Sequence, residues 1–586
     1  MIGFFLNINL ESKNNIKLIV TDHLSFKDID TLENQCLYIF NDVHDQILFS
    51  HGQMFYCIGT LINKHFSNKA ALRQIDNDIN SGNNWKAIAK NLRGQFCLIV
   101  HTKENHVFII TDKTGSFPIY KFENKNRIQI SNFLPLLTKH NKLSINAQAV
   151  AEYLSLDYTI DCTFFNEIMP LEMGMIFKFC NERQAQRYDN FYLNLQYNKY
   201  NKLKDISHRA KQILIKNLSF LNSDDRIFAD ITGGFDTRTI IAILKHNELN
   251  FEGGICGEQV SGESLIAQQL AQLLKIKFHS GISISDKALF DNVINTHFDI
   301  TGGAPIPYHS SELINYYSYI KNIFDIHITG FSGTELSQSI PRLSLLTKTV
   351  KFRMIYEKFY KYINIFSNNF MDETEYYNNI EKKIDRLLNQ IGTNIHERVM
   401  TFLIRSTYSK YYHGSLIGTH NTILPSYSPF IETNFIKLMM ETSQNLKYNH
   451  KIQREIITNI NPSISLIMTS HGYNANTSNF RNTFPIDTFG IYFENLARSI
   501  VYEFRIFKKL KDTLLKVYSK SIPRFTIEER QRSFWVNEVT NLCANEMKVF
   551  EFIDRKLFDK CTVDNFFSAK LKAKVIYLNE LLKYSI

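Results

Sequence analysis

Over the first 180 residues, short apolar runs recur between polar turns: IGFFLNI, QCLYIF, MFYCIGTLI, GQFCLIVHT, HVFIITD and MIFKF. This rhythm predicts closely spaced antiparallel strands, with helical patches near residues 67–80 and 144–156, and hence a layered α/β domain. Near residue 200 the pattern changes. From HRAKQILIKNLSFL onward, amphipathic helical stretches alternate with single apolar strands such as RIFADI and FDIHITG, as in a parallel sheet with crossover helices. After residue 480 the pattern is almost wholly helical, including LARSIVYEFRIFKKLKDTLLKVY and LKAKVIYLNELLKY. The expected division is 1–190, 200–480 and a helical extension 481–586, with a lysine- and tyrosine-rich stretch at 190–205 as the main boundary. No internal repeat is evident.

Composition changes this picture little. A chain of 586 residues exceeds what one core serves, and 44% hydrophobic with 13% aromatic residues argues for folded domains over disorder. The net charge of +10 is thin for this length and gives no reason to expect a nucleic-acid partner. Lysine-rich helical patches at 508–516 and 570–574 read as solvated helix faces. The eight cysteines (Cys36, Cys57, Cys97, Cys162, Cys180, Cys256, Cys543, Cys561) show no zinc-type spacing and read as reduced core residues. With no signal-like start and no run of about 18 apolar residues, a cytoplasmic protein without membrane contact is expected.

The stretch with most chemical content is RIFADITGGFDTRTIIAILKH, residues 226–246. It reads as strand, Gly-Gly turn and helix. Gly233 and Gly234 let backbone approach an anion, the helix start offers free amides, and Thr232 and Thr237 add hydroxyl donors. Asp236 is then placed where magnesium, which favours one or two carboxylates plus phosphate oxygens, could be held. An ordinary strand-to-helix turn of an α/β sheet fits the same two glycines.

TGGFDTR resembles the S-G-G-x-D-S pyrophosphate loop of the ATP-pyrophosphatase superfamily, and its surroundings are similar to the asparagine synthetase family. ICGEQVSGESLIAQQLAQLLKIKFH, with Glu263 and Ala267, resembles that family's second strand and helix. HITGFSGTELSQ resembles its G-x-G-x-D-E loop, and LPSYSPFIETNFIKLM its P-F-L-D segment. LKYNHKIQREIITNINPSI, with Lys447 and Arg454, resembles the helix that follows. Upstream, LRGQFCLIV, TDKTGSFPIY and IMPLEMGMIFKF are similar to the family's glutamine-hydrolysing domain. The resemblance implies an N-terminal-nucleophile-like antiparallel domain before a nucleotide-binding parallel-sheet domain. It also implies ATP held by Thr232, Gly233, Gly234, Asp236 and Thr237, attack of a substrate carboxylate on the α-phosphorus, and an amine displacing AMP from the acyl-adenylate.

Several positions depart from the family. Ile2 stands where the family has its nucleophilic cysteine, and Ile58, Gly59 and Thr60 replace its N-G-E, so glutamine hydrolysis is not expected. Thr334 replaces the aspartate of the G-x-G-x-D-E loop. Glu335 beside it serves as a second metal ligand or as a helix-capping acid. SLIMTSHG, with Ser470 and His471, lacks the family's lysine. Tyr412 matches a tyrosine near the intermediate or packs in the core, and Arg238 reads as a clamp on phosphate or carboxylate or as a surface salt bridge on the new helix. In YHSSELIN, His309 to Glu312 read as a helix cap. The expected substrate is a small-molecule or peptide carboxylate, with ATP and magnesium. The amine donor, and the choice between a homodimer and a partner protein, stay open. A catalytically inactive scaffold subunit is the competing reading.

Overall fold

The computed structural model describes residues 3–9, 26–32, 35–40, 47–104, 106–139, 141–179, 184–191, 195–197, 199–256, 262–282, 287–306, 311–337, 366, 370–388, 401–403, 405, 410–470, 473–476, 547–551, 553, 555–556, 558 and 566–583. Ile2, residues 307–310, His471 and the lysine-rich patch at 508–516 lie outside them.

Two antiparallel sheets form the first part. One runs in the order Ile168–Pro170, Tyr120–Glu123, Arg127–Ser131, Gly3–Asn9, Gln35–Phe40, Phe26–Leu32. The other runs Gln184–Arg187, Met175–Phe179, Val107–Thr111, Leu92–His101, Gln53–Asn63, Ile47–Ser50. Strand periodicity sorts their side chains. Phe4, Leu6 and Ile8 of the first sheet meet Met54, Tyr56 and Ile58 of the second in one apolar layer. The alternate residues Phe55 and Cys57 turn outward under Leu72, Ile75 and Ile88 of the helices Asn68–Asn80 and Trp85–Asn91. Phe5 and Phe40 face the helices Leu134–Thr138 and Ala147–Leu156. The result is a helix–sheet–sheet–helix stack, in which each fully buried Ile, Leu or Phe contributes about 1.5–3 kcal/mol of burial energy. Cys57 and Cys97 sit inside it, and burial pushes both thiols upward.

The later part is a wholly parallel sheet in the order Phe278–Ile282, Phe251–Cys256, Ile227–Asp230, Ile326–Ile328, Ser426–Tyr427. Its central strand is apolar on both faces, as burial between helices requires: Ile227 and Ala229 join one core, Phe228 the other. Helix Phe235–His246 lies on the first face with Leu203–Asn217 and Lys451–Ile460; helix Ser311–Ile320 covers the second. The chain is therefore mixed α/β, antiparallel first and parallel later.

The two parts are joined by buried polar contacts. Glu432 accepts from the Gly94 amide at 2.8 Å and from the Tyr427 hydroxyl at 3.0 Å, and the Ser428 amide donates to Gln95 Oε1 at 3.2 Å. The Thr60 hydroxyl donates to the Ser426 carbonyl and Asn421 Oδ1, both at 3.1 Å. Gly59, with φ +96°, presses so closely on the opposite strand that a Cβ would lie 2.3 Å from the Gln95 carbonyl. The slot matched to the family's N-G-E is thus devoted to the seam.

Helices from late in the chain complete the outer layer of the first part. Lys383, on Glu373–Leu388, donates to fully buried Glu152 at 2.7 Å and to the Ile160 carbonyl at 3.1 Å. On Phe566–Lys583, Lys574 donates to the Leu154 carbonyl at 2.8 Å and pairs with Asp157, and Tyr577 packs its ring 5.5 Å from that of Tyr153. This corrects the reading of Lys574, within the 570–574 patch, as part of a solvated face. Lys574 is only 6% exposed, because its ammonium meets the carbonyl end of helix Ala147–Leu156.

Candidate functional site

The candidate site is the turn between strand Ile227–Asp230 and helix Phe235–His246. Apolar strand residues bring the chain to the carboxyl edge of the sheet, and the Gly-Gly pair lets it reverse into the helix. The Thr237 hydroxyl accepts from the Thr232 amide at 3.1 Å and meets the Thr232 hydroxyl at 2.9 Å, which in turn accepts from the Gly234 amide at 3.2 Å. Helix Phe235–His246 starts at Gly234, which is extended, and its N-terminal end favours negative charge. Ser470, where the family has lysine nearby, donates its amide to the Gly233 carbonyl at 3.0 Å and supports the turn from behind.

Asp236 is the charged centre. Its Oδ1 accepts from the Thr334 hydroxyl at 2.7 Å and from the Gln453 amide nitrogen at 2.5 Å. The second loop comes this close because Gly333 has no side chain: a Cβ there would lie 2.7 Å from Asp236 Cγ. Burial, with the Glu335 carboxylate next, raises the Asp236 carboxyl to about 7, against the hydrogen bonds from Gln453 and Thr334 that lower it. Glu335 lies in the first turn of the short helix Gly333–Ser337. Two carboxylates whose repulsion is felt in a buried place fit a divalent cation with oxygen ligands. Among the described residues no group of three or more His, Cys, Asp or Glu side chains is arranged to hold a metal. The remaining ligands for magnesium would be phosphate and water.

Other residues surround this pair. The His450 ring stacks on Phe235 with centroids 4.7 Å apart, and its Nδ1 lies 3.2 Å from Gln453 Oε1. His413, 2.9 Å from the Ser332 hydroxyl, is pushed down to about 4 by burial, partly offset by Asp236, so it stays neutral. Tyr412 is raised to about 12 by burial, with Asp157 and then Glu335 adding to the effect. Its ring also packs 6.3 Å from that of Tyr158, so it touches both the core and the edge of the site. Lys447 is fully buried with no hydrogen-bond partner for Nζ among the described residues, and burial pushes it down to about 7.

Arg238 requires a correction. Its guanidinium is wholly buried and donates to the carbonyls of Ile467 at 2.5 Å, Met468 at 3.0 Å and Ile464 at 3.4 Å. It ties helix Phe235–His246 to the end of helix Pro462–Leu466, and is spent on those carbonyls instead of clamping phosphate or carboxylate. Burial pushes it down to about 10. Arg454 similarly gives Nη2 to the Asn476 carbonyl at 3.2 Å. Gln453 is the site residue the sequence does not disclose. It stands 217 positions from Asp236, and no charge or motif marks it.

Residues 80–192 match the glutamine amidotransferase domain family. No curated protein matches the chain. Among solved structures, the allosteric regulatory enzyme of purine biosynthesis is 10% identical over 50% of this chain and 63% of its own, with a TM-score of 0.19. Glutamine phosphoribosylpyrophosphate amidotransferase from B. subtilis, complexed with ADP and GMP, is 10% identical over 50% of this chain and 64% of its own, TM-score 0.19. NMN synthetase from Francisella tularensis is 14% identical over 34% of this chain and 92% of its own, TM-score 0.19. The chain thus spans less than two thirds of the length of the first two. No helix among the described residues is long and apolar enough to cross a membrane.

Proposed function

We propose that the chain is an ATP-dependent, AMP-forming amide-bond synthetase of the asparagine synthetase kind, with an N-terminal-nucleophile-like domain that does not hydrolyse glutamine. The observation that carries this reading is Asp236, buried beside Glu335 in the first turn of the helix that follows the glycine pair. The turn and helix amides would bind the phosphates of ATP, and the Thr232 and Thr237 hydroxyls would orient them. Asp236 and Glu335 would hold magnesium, which when bound supplies positive charge against the phosphate oxygens. Thr334 and Gln453 engage Asp236 Oδ1 and so fix the carboxylate that would hold the metal. A substrate carboxylate attacking the α-phosphorus releases pyrophosphate, and an amine then displaces AMP from the acyl-adenylate.

The amidotransferase match at residues 80–192 supports descent from a glutamine-using protein. The first strand, GFFLNIN, offers no thiol or hydroxyl nucleophile, and the Thr60 hydroxyl is committed to the seam, so glutamine would not be hydrolysed there. Ammonia or an amine would then come from solution, a partner or the substrate itself. A second reading, a non-catalytic scaffold, is favoured by one observation: Thr334 stands where a second loop carboxylate is expected. The test is exchange of labelled pyrophosphate into ATP with panels of carboxylates, wild type against Asp236→Ala. Exchange in the wild type alone supports the synthetase, and absence of both exchange and ATP binding selects the scaffold.

A further inference from the structure

Three side chains meet where helix Glu373–Leu388 lies against the loop that follows helix Ala147–Leu156. Besides Glu152 and the Ile160 carbonyl, the Lys383 ammonium donates to Cys162 Sγ at 3.1 Å. The Cys162 thiol in turn donates to Glu152 Oε2 at 3.5 Å. The carboxylate itself is fixed, because Gln148 Nε2 donates to Oε1 at 3.0 Å and the Ile160 amide to Oε2 at 2.8 Å. An amine nitrogen, a sulfur and a proton acceptor thus stand in mutual contact. Cys36, Cys57 and Cys97 are buried in the core, whereas Cys162 is partly exposed and the Lys383 side chain keeps 19% of its surface open. Solvent comes up to this group as it does not to the core thiols. Burial, then the Glu152 charge, pushes the Cys162 thiol up against the opposing pull of Lys383, so it keeps its proton and reacts slowly. Burial alone would lower Lys383, but Glu152 outweighs it and holds the ammonium charged. Glu152, touching both groups, is the base placed to take a proton from either.

We propose that Cys162 and Lys383 form a covalent sulfur–nitrogen cross-link, a sulfenamide, when the chain meets hydrogen peroxide, and that this bond clamps helix Glu373–Leu388 to the first part of the chain. The sulfur is oxidised by two electrons and the peroxide is reduced to water. In the first step the sulfur attacks one peroxide oxygen and the oxygen–oxygen bond breaks. The thiol proton passes by way of Glu152 to the departing hydroxide, which leaves as water, and Cys162 becomes its sulfenic acid. In the second step the Lys383 ammonium gives a proton to Glu152 and its nitrogen attacks the sulfur. The sulfur–oxygen bond breaks, and the hydroxide departs as water with another proton from the nitrogen. Glu152 then releases its proton to solvent. In sum, the ammonium, the thiol and one hydrogen peroxide give the sulfenamide, two waters and one proton. An approach of 3.1 Å makes the second step intramolecular, so the amine outruns a second peroxide.

The cross-link does not depend on the nucleotide reading above. The purified chain, either folded or first unfolded in urea, is treated with hydrogen peroxide at pH 8, digested and mapped by mass spectrometry, alongside folded Cys162→Ala and Lys383→Arg. The folded wild type should give a peptide pair joined through Cys162 and Lys383 and lighter than its parts by two hydrogens, at about tenfold or more the yield from the unfolded chain. Dithiothreitol should release both peptides with the thiol and the amine restored. Cys162→Ala should leave Lys383 in its ordinary peptide. Lys383→Arg keeps a cation for Glu152 but supplies no primary amine, so its Cys162 should advance to the sulfinic acid instead. The linked wild type should melt above the reduced protein, because the bond joins positions 221 residues apart. Recovery of Cys162 as a free thiol, or as its oxygen acids with Lys383 unlinked, overturns the cross-link, and so does equal yield from folded and unfolded chain. A bond that forms without raising the melting temperature overturns the clamp.

Discussion

The Thr334 hydroxyl donates to Asp236 Oδ1 at 2.7 Å, across 98 positions of sequence. A residue that departs from the expected acidic loop therefore still serves the same aspartate, by a neutral hydrogen bond in place of a shared charge. Gln453 does likewise from a third element at 2.5 Å. Asp236 is held by uncharged donors and repelled by Glu335, so its ionisation costs the folded protein free energy.

That cost has a sign. Burial and Glu335 raise the Asp236 carboxyl from its ordinary value to about 7, so the folded state binds its proton more tightly than the unfolded chain does. The contribution to stability is therefore full below about pH 4 and is lost as pH rises through about 7. Asp236→Asn should melt above the wild type at pH 8 without nucleotide, and the gap should narrow towards pH 5. Calorimetry across that range checks it. An asparagine variant that melts lower at pH 8 would contradict the repulsion.

Lys447 has the opposite dependence. Burial lowers it to about 7, so the unfolded chain holds the proton more tightly and stability rises with pH between about 7 and its ordinary value near 10.5. Lys447→Met should stabilise the protein at pH 7 by about 1–3 kcal/mol, because an unpartnered buried ammonium is removed, and the gain should shrink by pH 10. Urea denaturation at the two pH values measures it.

Arg238→Lys should destabilise the protein by about 2–4 kcal/mol. One ammonium cannot serve the carbonyls of Ile464, Ile467 and Met468 together in that geometry. ATP affinity of the folded variant should stay within about threefold of wild type. A large loss of affinity with unchanged melting would restore the phosphate-clamp role.

Glu152→Ala should cost about 2–4 kcal/mol, since it leaves the half-buried Lys383 ammonium without its acid partner. Glu152→Ala with Lys383→Met should recover much of the loss. Thermal denaturation of the single and double variants tests the pair as the link between helix Glu373–Leu388 and the first part of the chain.

These residues show how far the sequence could be read. The turn Thr232–Thr237 was legible because strand period, two glycines and helix period meet within a few residues, and local rules govern that geometry. The layered antiparallel part was legible from alternation, as in Met54, Tyr56 and Ile58 facing one way and Phe55 and Cys57 the other. Arg238 was misread by a local argument: a cation at a helix start is unfavourable for that helix, but its side chain is long enough to reach the carbonyl end of another. Gln453 and the seam acid Glu432 were illegible as partners, because only the fold brings them to Asp236 and Gly94. Lys574 looked solvated for the same reason, its carbonyl partner lying 420 positions away.

The most direct measurement of the central claim is carboxylate-dependent exchange of labelled pyrophosphate into ATP by the purified chain with magnesium. The account predicts exchange with at least one class of carboxylate, abolished by Asp236→Ala and reduced about tenfold or more by Gln453→Ala, with Gln453→Glu not restoring it. Its contradiction would be a wild-type protein that neither exchanges pyrophosphate nor binds ATP, or exchange that persists unchanged in Asp236→Ala.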